Sequence, residues 1–158
     1  MPSLEILLHA DREQLAVDRA IAEFRAGRAV IVESGDGASL AAPVESLDEA
    51  GARALDAVAA GAARLVLSGP RLPRLGAARR ETAALPLTTV DFARIAELAL
   101  ARAARLDTRL LRPSGAETAA LALTHLATLL PAGVTPPPPP HPALRPPFCR
   151  AGARGICA

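Results

Sequence analysis

Two hydrophobic rhythms alternate along this chain, one at helical spacing and one in short unbroken runs. Val17, Ala20, Ile21 and Phe24 fall at i, i+3, i+4 and i+7, which predicts a helix burying one stripe. Asp11 with Gln14 three residues on marks its start as a capping box, and Gly27 marks its end. Arg28 to Glu33 is a β-branched run suited to a sheet interior, followed by the turn Ser34-Gly35-Asp36-Gly37 and a second apolar run from Leu40 to Val44. The pattern predicts strand, tight turn, strand. Ser46 with Glu49 forms another capping box, opening a helix whose inner face carries Leu47, Ala54, Leu55 and Val58 and which stops at Gly61. Arg64 to Ser68 reads as a third buried strand.

Gly69, Pro70 and Pro73 break the chain into a loop with one helical turn ending near Gly76. Ala83 to Thr88 is a fourth extended segment, with Pro86 tolerable only at an edge. Thr89 or Asp91 caps a long helix presenting Phe92, Ile95, Ala96, Ala99 and Ala103 on one face. Ser114 with Glu117 is the third capping box, and Ala119, Leu123, Leu126 and Leu130 follow at helical spacing until Pro131. The body closes at about Val134. These elements make an α/β (α+β) domain over residues 1–134, a mixed sheet of short strands flanked by helices.

From Thr135 the composition changes. Pro131 to Pro147 hold nine of the chain's 15 prolines, and Pro136 to Pro140 are unbroken, so residues 135–158 read as a Pro-rich, disordered tail without a packed element. The last eleven residues carry no acid and no periodicity. All 18 basic residues are arginine, which fits a G+C-rich gene, and a tail of Pro, Arg, Gly, Ala and Cys is what a shifted frame in such a gene yields. A truncated or frame-shifted product is therefore the expectation.

Composition removes whole reaction classes. Without lysine there is no Schiff-base or P-loop lysine, and three Phe with no Tyr or Trp give no base-stacking platform. Residues 1–135 balance 15 Arg against 16 acids, so no nucleic-acid partner is expected. No window approaches the roughly 18 apolar residues of a membrane span, and the N-terminus lacks a signal-peptide pattern, giving a cytoplasmic address and no membrane contact. Both cysteines, Cys149 and Cys157, lie in the tail, so the body holds no disulfide framework and no thiolate metal site.

The candidate chemistry is thin. His9, His125 and His141 are scattered, and His125 has no second ligand at i±3 or i±4, so it reads as a helix-flank residue. Glu33 and Asp36, around the first turn, are the candidate cofactor-binding residues, able in principle to share a magnesium ion, though a hairpin turn explains the segment fully. Arg79-Arg80-Glu81 and the series Arg102, Arg105, Arg109, Arg112 suit a phosphate or an acidic partner, against the simpler reading of a solvated helix face with Glu97 and Asp107 interleaved.

Asp18 to Val32, in the order helix, Gly, Arg, buried strand, resembles the opening of 3,4-dihydroxy-2-butanone 4-phosphate synthase domains of riboflavin biosynthesis. Pro43-Val44-Glu45-Ser46-Leu47 resembles that family's strand end and helix start, and Gly61 to Ser68 its next glycine and buried strand. Ala83 to Val134 is more similar to the divergent domain that precedes the catalytic module in one type of bacterial GTP cyclohydrolase II. The resemblance implies a synthase-like fold over roughly residues 15–134. In the active synthase an acidic loop, Glu-Asp-Arg-Glu-Asn-Glu-Gly-Asp, binds magnesium and works on ribulose 5-phosphate. Here it is shortened to Ser34-Gly35-Asp36-Gly37-Ala38-Ser39, and the family's His-Thr-Glu metal motif is missing, His125 being followed by Leu126 and Ala127. The cyclohydrolase's zinc motif, Cys-x10-Cys-x-Cys, is not matched by Cys149 and Cys157, which have seven residues between them.

The expectation is a catalytically silent N-terminal domain or fragment of a GTP cyclohydrolase II-type protein. No residue is assigned a catalytic role and no cofactor is assigned to this chain. Zinc belongs only to the missing module, which is the expected partner beside a possible homodimer. One alternative is a synthase-like enzyme holding magnesium and a sugar phosphate through Glu33, Asp36 and nearby arginines. Another is an interaction protein whose Pro136 to Pro140 run is read by an aromatic groove. Inertness requires that Glu33, Asp36, Glu45 and His125 do not converge on one cavity.

Overall fold

The computed structural model describes residues 4–137 and 148–150. Its element order is α1 (Leu4–Arg25), β1 (Val30–Ser34), β2 (Gly37–Pro43), a short 3-10 turn (Val44–Ser46), α2 (Glu49–Ala59), β3 (Ala63–Leu67), a 3-10 segment (Gly69–Leu75), β4 (Ala83–Leu87), α3 (Phe92–Leu100), α4 (Gly115–Leu126), β5 (Ala132–Thr135) and β6 (Phe148–Arg150). Six strands form one sheet in the order β4-β3-β5-β2-β1-β6, with every pairing antiparallel except β1 with β6.

Alternation along the strands sorts the side chains onto two faces. Ile31, Leu40, Ala42, Leu65, Leu67, Leu85 and Val134 pack with Leu55 of α2 and Ile95 and Leu98 of α3. Val30, Val32 and Ala41 pack on the other face with Val17, Ala20 and Phe24 of α1 and Ala119 and Leu123 of α4. Between those two positions of α4, Leu121 meets Val66 and Ala84, so this helix spans the sheet from β1 to β4. The expected mixed sheet flanked by helices is the observed architecture. The β4 edge is blunted by Pro86 and by a bridge between Ala84 and Leu111, which occupies backbone groups that an intruding strand would use.

Several local expectations differ from the fold. Helix α1 begins at Leu4, not at Asp11, because residues 4–10 are good helix formers and nothing halts the helix there. Asp48, not Ser46, caps α2, accepting the Gly51 amide at 2.7 Å, while Ser46 ends the 3-10 turn and packs against Gly27. Gly27 has φ +75, and a Cβ there would lie 2.7 Å from the Ser46 Cβ, so the position accepts glycine for both shape and backbone reasons. The inner face of α2 is Ala52, Leu55 and Ala59, with Ala54 and Val58 exposed.

Helix α3 stops at Leu100 because Ala101 is extended, and the Arg71 guanidinium donates to the carbonyls of Leu98 and Ala101 that the helix leaves open. Helix α4 stops at Leu126, and Thr128, at φ 57, turns the chain back towards the sheet. That turn delivers β5, a strand the sequence pattern missed, between β3 and β2 at the centre of the sheet. Phe148–Arg150, expected to carry no element, pair in parallel with β1, since an open strand edge accepts extended backbone whatever its side chains. The remaining tail residues, including Pro138 to Pro140 and His141, lie outside the described residues.

Candidate functional site

Backbone geometry brings the first turn to the start of α4. Register Ser34↔Gly37 closes the β1–β2 hairpin over Gly35 and Asp36, and the Asp36 Oδ2 accepts the Gly115 amide at 2.7 Å. The Ser34 hydroxyl donates to Asp36 Oδ1. That hydroxyl, followed by the Gly115 amide, holds the Asp36 carboxyl below the usual aspartate range. A Cβ on Gly115 would lie 2.7 Å from Asp36 Oδ1 and 2.8 Å from Ser34 Oγ, so glycine at the first position of α4 leaves room for both side chains to close on the helix start.

Beside this contact lies a recess of about 250 Å³ lined by Asp36, Ser39, Arg64, Ser114, Glu117 and Thr135 among others. Glu117 is only 4% exposed. Its carboxylate accepts the Ser114 amide at 2.7 Å while the Ser114 Oγ accepts the Glu117 amide at 3.1 Å, the capping box expected from the sequence. Arg64 on β3 reaches the same carboxylate at 3.4 Å, and the Thr135 hydroxyl on β5 lies 3.4 Å from Glu117 Oε1 and 3.2 Å from the Arg64 carbonyl. The acids of this recess are thus engaged by amides at the helix start, two hydroxyls and a guanidinium. The arrangement locks the β1–β2 hairpin, β3 and β5 to one helix start.

The other sequence candidates lie elsewhere. Glu33, half-buried in β1, sits two residues beyond Ile31 and so on the α2–α3 face, opposite the recess. Glu45 accepts the Leu130 amide at 2.6 Å. His125 is exposed, ten residues beyond Gly115, about 15 Å along the helix at 1.5 Å per residue. These four do not surround one cavity, and among the described residues no three His, Cys, Asp or Glu side chains group as metal ligands would. Arg64 and Thr135 carried no sequence signal, since β5 was unread and Arg64 stands 53 residues from Glu117. Arg102, Arg105, Arg109 and Arg112 do not share a helix, because α3 ends before them. No described helix is long and apolar enough to cross a membrane.

Solved structures place this geometry in a known fold. A two-domain 3,4-dihydroxy-2-butanone 4-phosphate synthase from A. baumannii superposes with TM-score 0.57 at 19% identity, covering 76% of this chain and 46% of that one. The fold is that of 3,4-dihydroxy-2-butanone 4-phosphate synthases. The Candida albicans synthase matches with TM-score 0.55 at 16% identity over 76% of this chain and 78% of its own. A synthase in complex with two magnesium ions gives TM-score 0.59 at 16% identity over 76% and 74%. This chain therefore spans about half of the two-domain synthase and about three quarters of the other two. No protein-family model and no curated protein matches the chain. At these identities the likeness is one of synthase fold.

Proposed function

We propose that this chain is a catalytically silent synthase-fold domain with a structural task, holding or pairing a GTP cyclohydrolase II-type catalytic module. The observation that carries this reading is the state of Asp36. Its two oxygens are taken by the Gly115 amide and the Ser34 hydroxyl, so the acid of the shortened loop serves as a fastener for α4.

The donor set does not fit the magnesium ions that the magnesium-bound synthase holds. Mg²⁺ binds through one or two carboxylates together with its own waters and substrate oxygens. Here Glu33 lies on the α2–α3 face of β1, Asp36 is held in the turn against the start of α4, and Glu117 is buried against Arg64. Enolising a sugar phosphate also needs a positioned base near the cation, and His125 stands at the far end of α4.

Calorimetric titration of the chain with magnesium and ribulose 5-phosphate is expected to give no binding heat, and incubation no turnover. Turnover would restore the reading as a magnesium-dependent enzyme. The structural half of the proposal is checked by co-sedimentation with a GTP cyclohydrolase II-type module. A complex that raises the melting temperature of the module is expected, and independent sedimentation sinks that half.

A further inference from the structure

The fold gathers arginines that the sequence keeps apart. Residues 69–82 carry four arginines against one acid, and residues 101–114 carry four against one, whereas the rest of residues 1–135 holds seven against fourteen. The two segments run side by side at the β4 end of the sheet. The Leu106 amide donates to the Leu75 carbonyl at 3.2 Å, Ala84 and Leu111 exchange both backbone hydrogen bonds, and Arg105 lies over Gly76. A chain near neutral by count is therefore polarised in space, with one strongly basic end.

Most arginines elsewhere in the fold have a structural employer. Arg25 donates to carbonyls at the end of α4, Arg28 pairs with Glu23, Arg64 with Glu117, and Arg94 with Glu97 and Asp107. At the basic end, Arg94 claims Asp107 from outside the cluster and Arg79 stands 3.9 Å from Glu81. Arg74, Arg80, Arg102, Arg105, Arg109 and Arg112 are all exposed, and none of their guanidiniums has a hydrogen bond or ion pair with a described residue, the Arg94 bond to Arg105 being to its carbonyl. The crowding has a cost, because burial and the neighbouring Arg74 together push Arg71 below the usual arginine range. Six guanidiniums thus have no polar partner among the described residues. Leu100, 60% exposed at the end of α3, supplies an apolar contact next to Arg102.

We propose that this end is a docking surface for an acidic protein segment, in which carboxylates engage the arginine forks and an apolar side chain covers Leu100. Arginine presents two parallel N–H donors that match a carboxylate. A protein segment is favoured over nucleic acid by the exposed leucine and by the lack of Tyr and Trp, which leaves no platform for bases. The inference is independent of whether the domain is catalytically silent.

The test is fluorescence anisotropy of a labelled oligoglutamate peptide carrying interspersed leucines, with the full chain at low and at physiological ionic strength. Saturable binding is expected, weakened by salt and by roughly tenfold or more in Arg80→Glu/Arg109→Glu. Arg53→Glu, on exposed α2 outside the cluster, is expected to leave it unchanged. Far-UV circular dichroism checks that each variant is folded, with Arg102→Glu/Arg112→Glu as the second pair if the first is not. Absence of binding, binding indifferent to both reversals, or tighter binding of a duplex DNA of matched charge would each overturn the proposal.

Discussion

Asp36 and Gly115 stand 79 residues apart in the chain and 2.7 Å apart in the structure, the carboxylate accepting the first amide of α4. A carboxylate at a helix start meets both an unpaired donor and the positive end of the helix dipole. Ser34 adds a second donor, and together they depress the Asp36 carboxyl. A folded pKa below the unfolded one contributes stability that is present above the ordinary aspartate range and is lost as pH falls through the depressed value. Asp36→Asn is therefore expected to melt below the parent at neutral pH, and the gap should close on acidification. Parallel melting curves from neutral pH down to about pH 3 would contradict this use of Asp36.

Gly115→Ala tests the same contact from the helix side, with a sign that can be reversed. Inside a helix alanine is better than glycine by about 1 kcal/mol. Here the added Cβ meets Asp36 Oδ1 and Ser34 Oγ well inside contact distance, so these two side chains must turn away from the helix start and give up the capping contact. A destabilisation of about 1 kcal/mol is expected in the parent, from loss of the capping contact. In a Ser34→Ala/Asp36→Gly background the clash is gone, and the same substitution should stabilise. Denaturant melts of the four chains decide, and an equal effect in both backgrounds would show that the contact does not govern Gly115.

What the sequence made legible was local. Ser114 and Glu117 three apart, Asp91 before Phe92, and the stripe Val17, Ala20, Phe24 each carry their structural meaning within one or two helical turns. Where two local signals competed, tertiary packing chose. Ser46 with Glu49 matched a capping box as well as Asp48 fits its role, but Gly27 packs on Ser46 and leaves the cap to Asp48. Strand β5 has only four residues, Ala132–Thr135, between prolines and without polar alternation, so nothing within it marked a central strand. Arg64 with Glu117, Asp36 with Gly115, and the gathered arginines depend on partners far along the chain, which no spacing rule reaches.

Arg71 holds the end of α3 to the segment that follows β3. Its Nε donates to the Leu98 carbonyl at 2.8 Å, and a second guanidinium nitrogen reaches Glu97 and Ala101 carbonyls. The Leu98 and Ala101 carbonyls have no partner within the helix, whereas the Glu97 carbonyl also accepts the Ala101 amide at 2.9 Å. Arg71→Ala is expected to cost about 1–2 kcal/mol in a denaturant melt. Arg71→Lys should recover little of it, because a single ammonium cannot serve three carbonyls from one planar fork. Full recovery by lysine would mean that charge alone matters there.

Ala60 ends α2 in the left-handed region at φ 48, directly before Gly61 at φ 80. An L-residue with a Cβ pays roughly 1–2 kcal/mol for that conformation, whereas glycine adopts it freely but loses more entropy on folding. The chain has placed its glycine at only one of the two positions that ask for it. Ala60→Gly is accordingly expected to stabilise by about 0.5–1 kcal/mol, and Gly61→Ala to destabilise by a similar amount. Ala60 is exposed, so neither packing nor burial confounds the first measurement. Thermal melts that moved in the same direction for both substitutions would exclude backbone strain as the controlling term at this helix end.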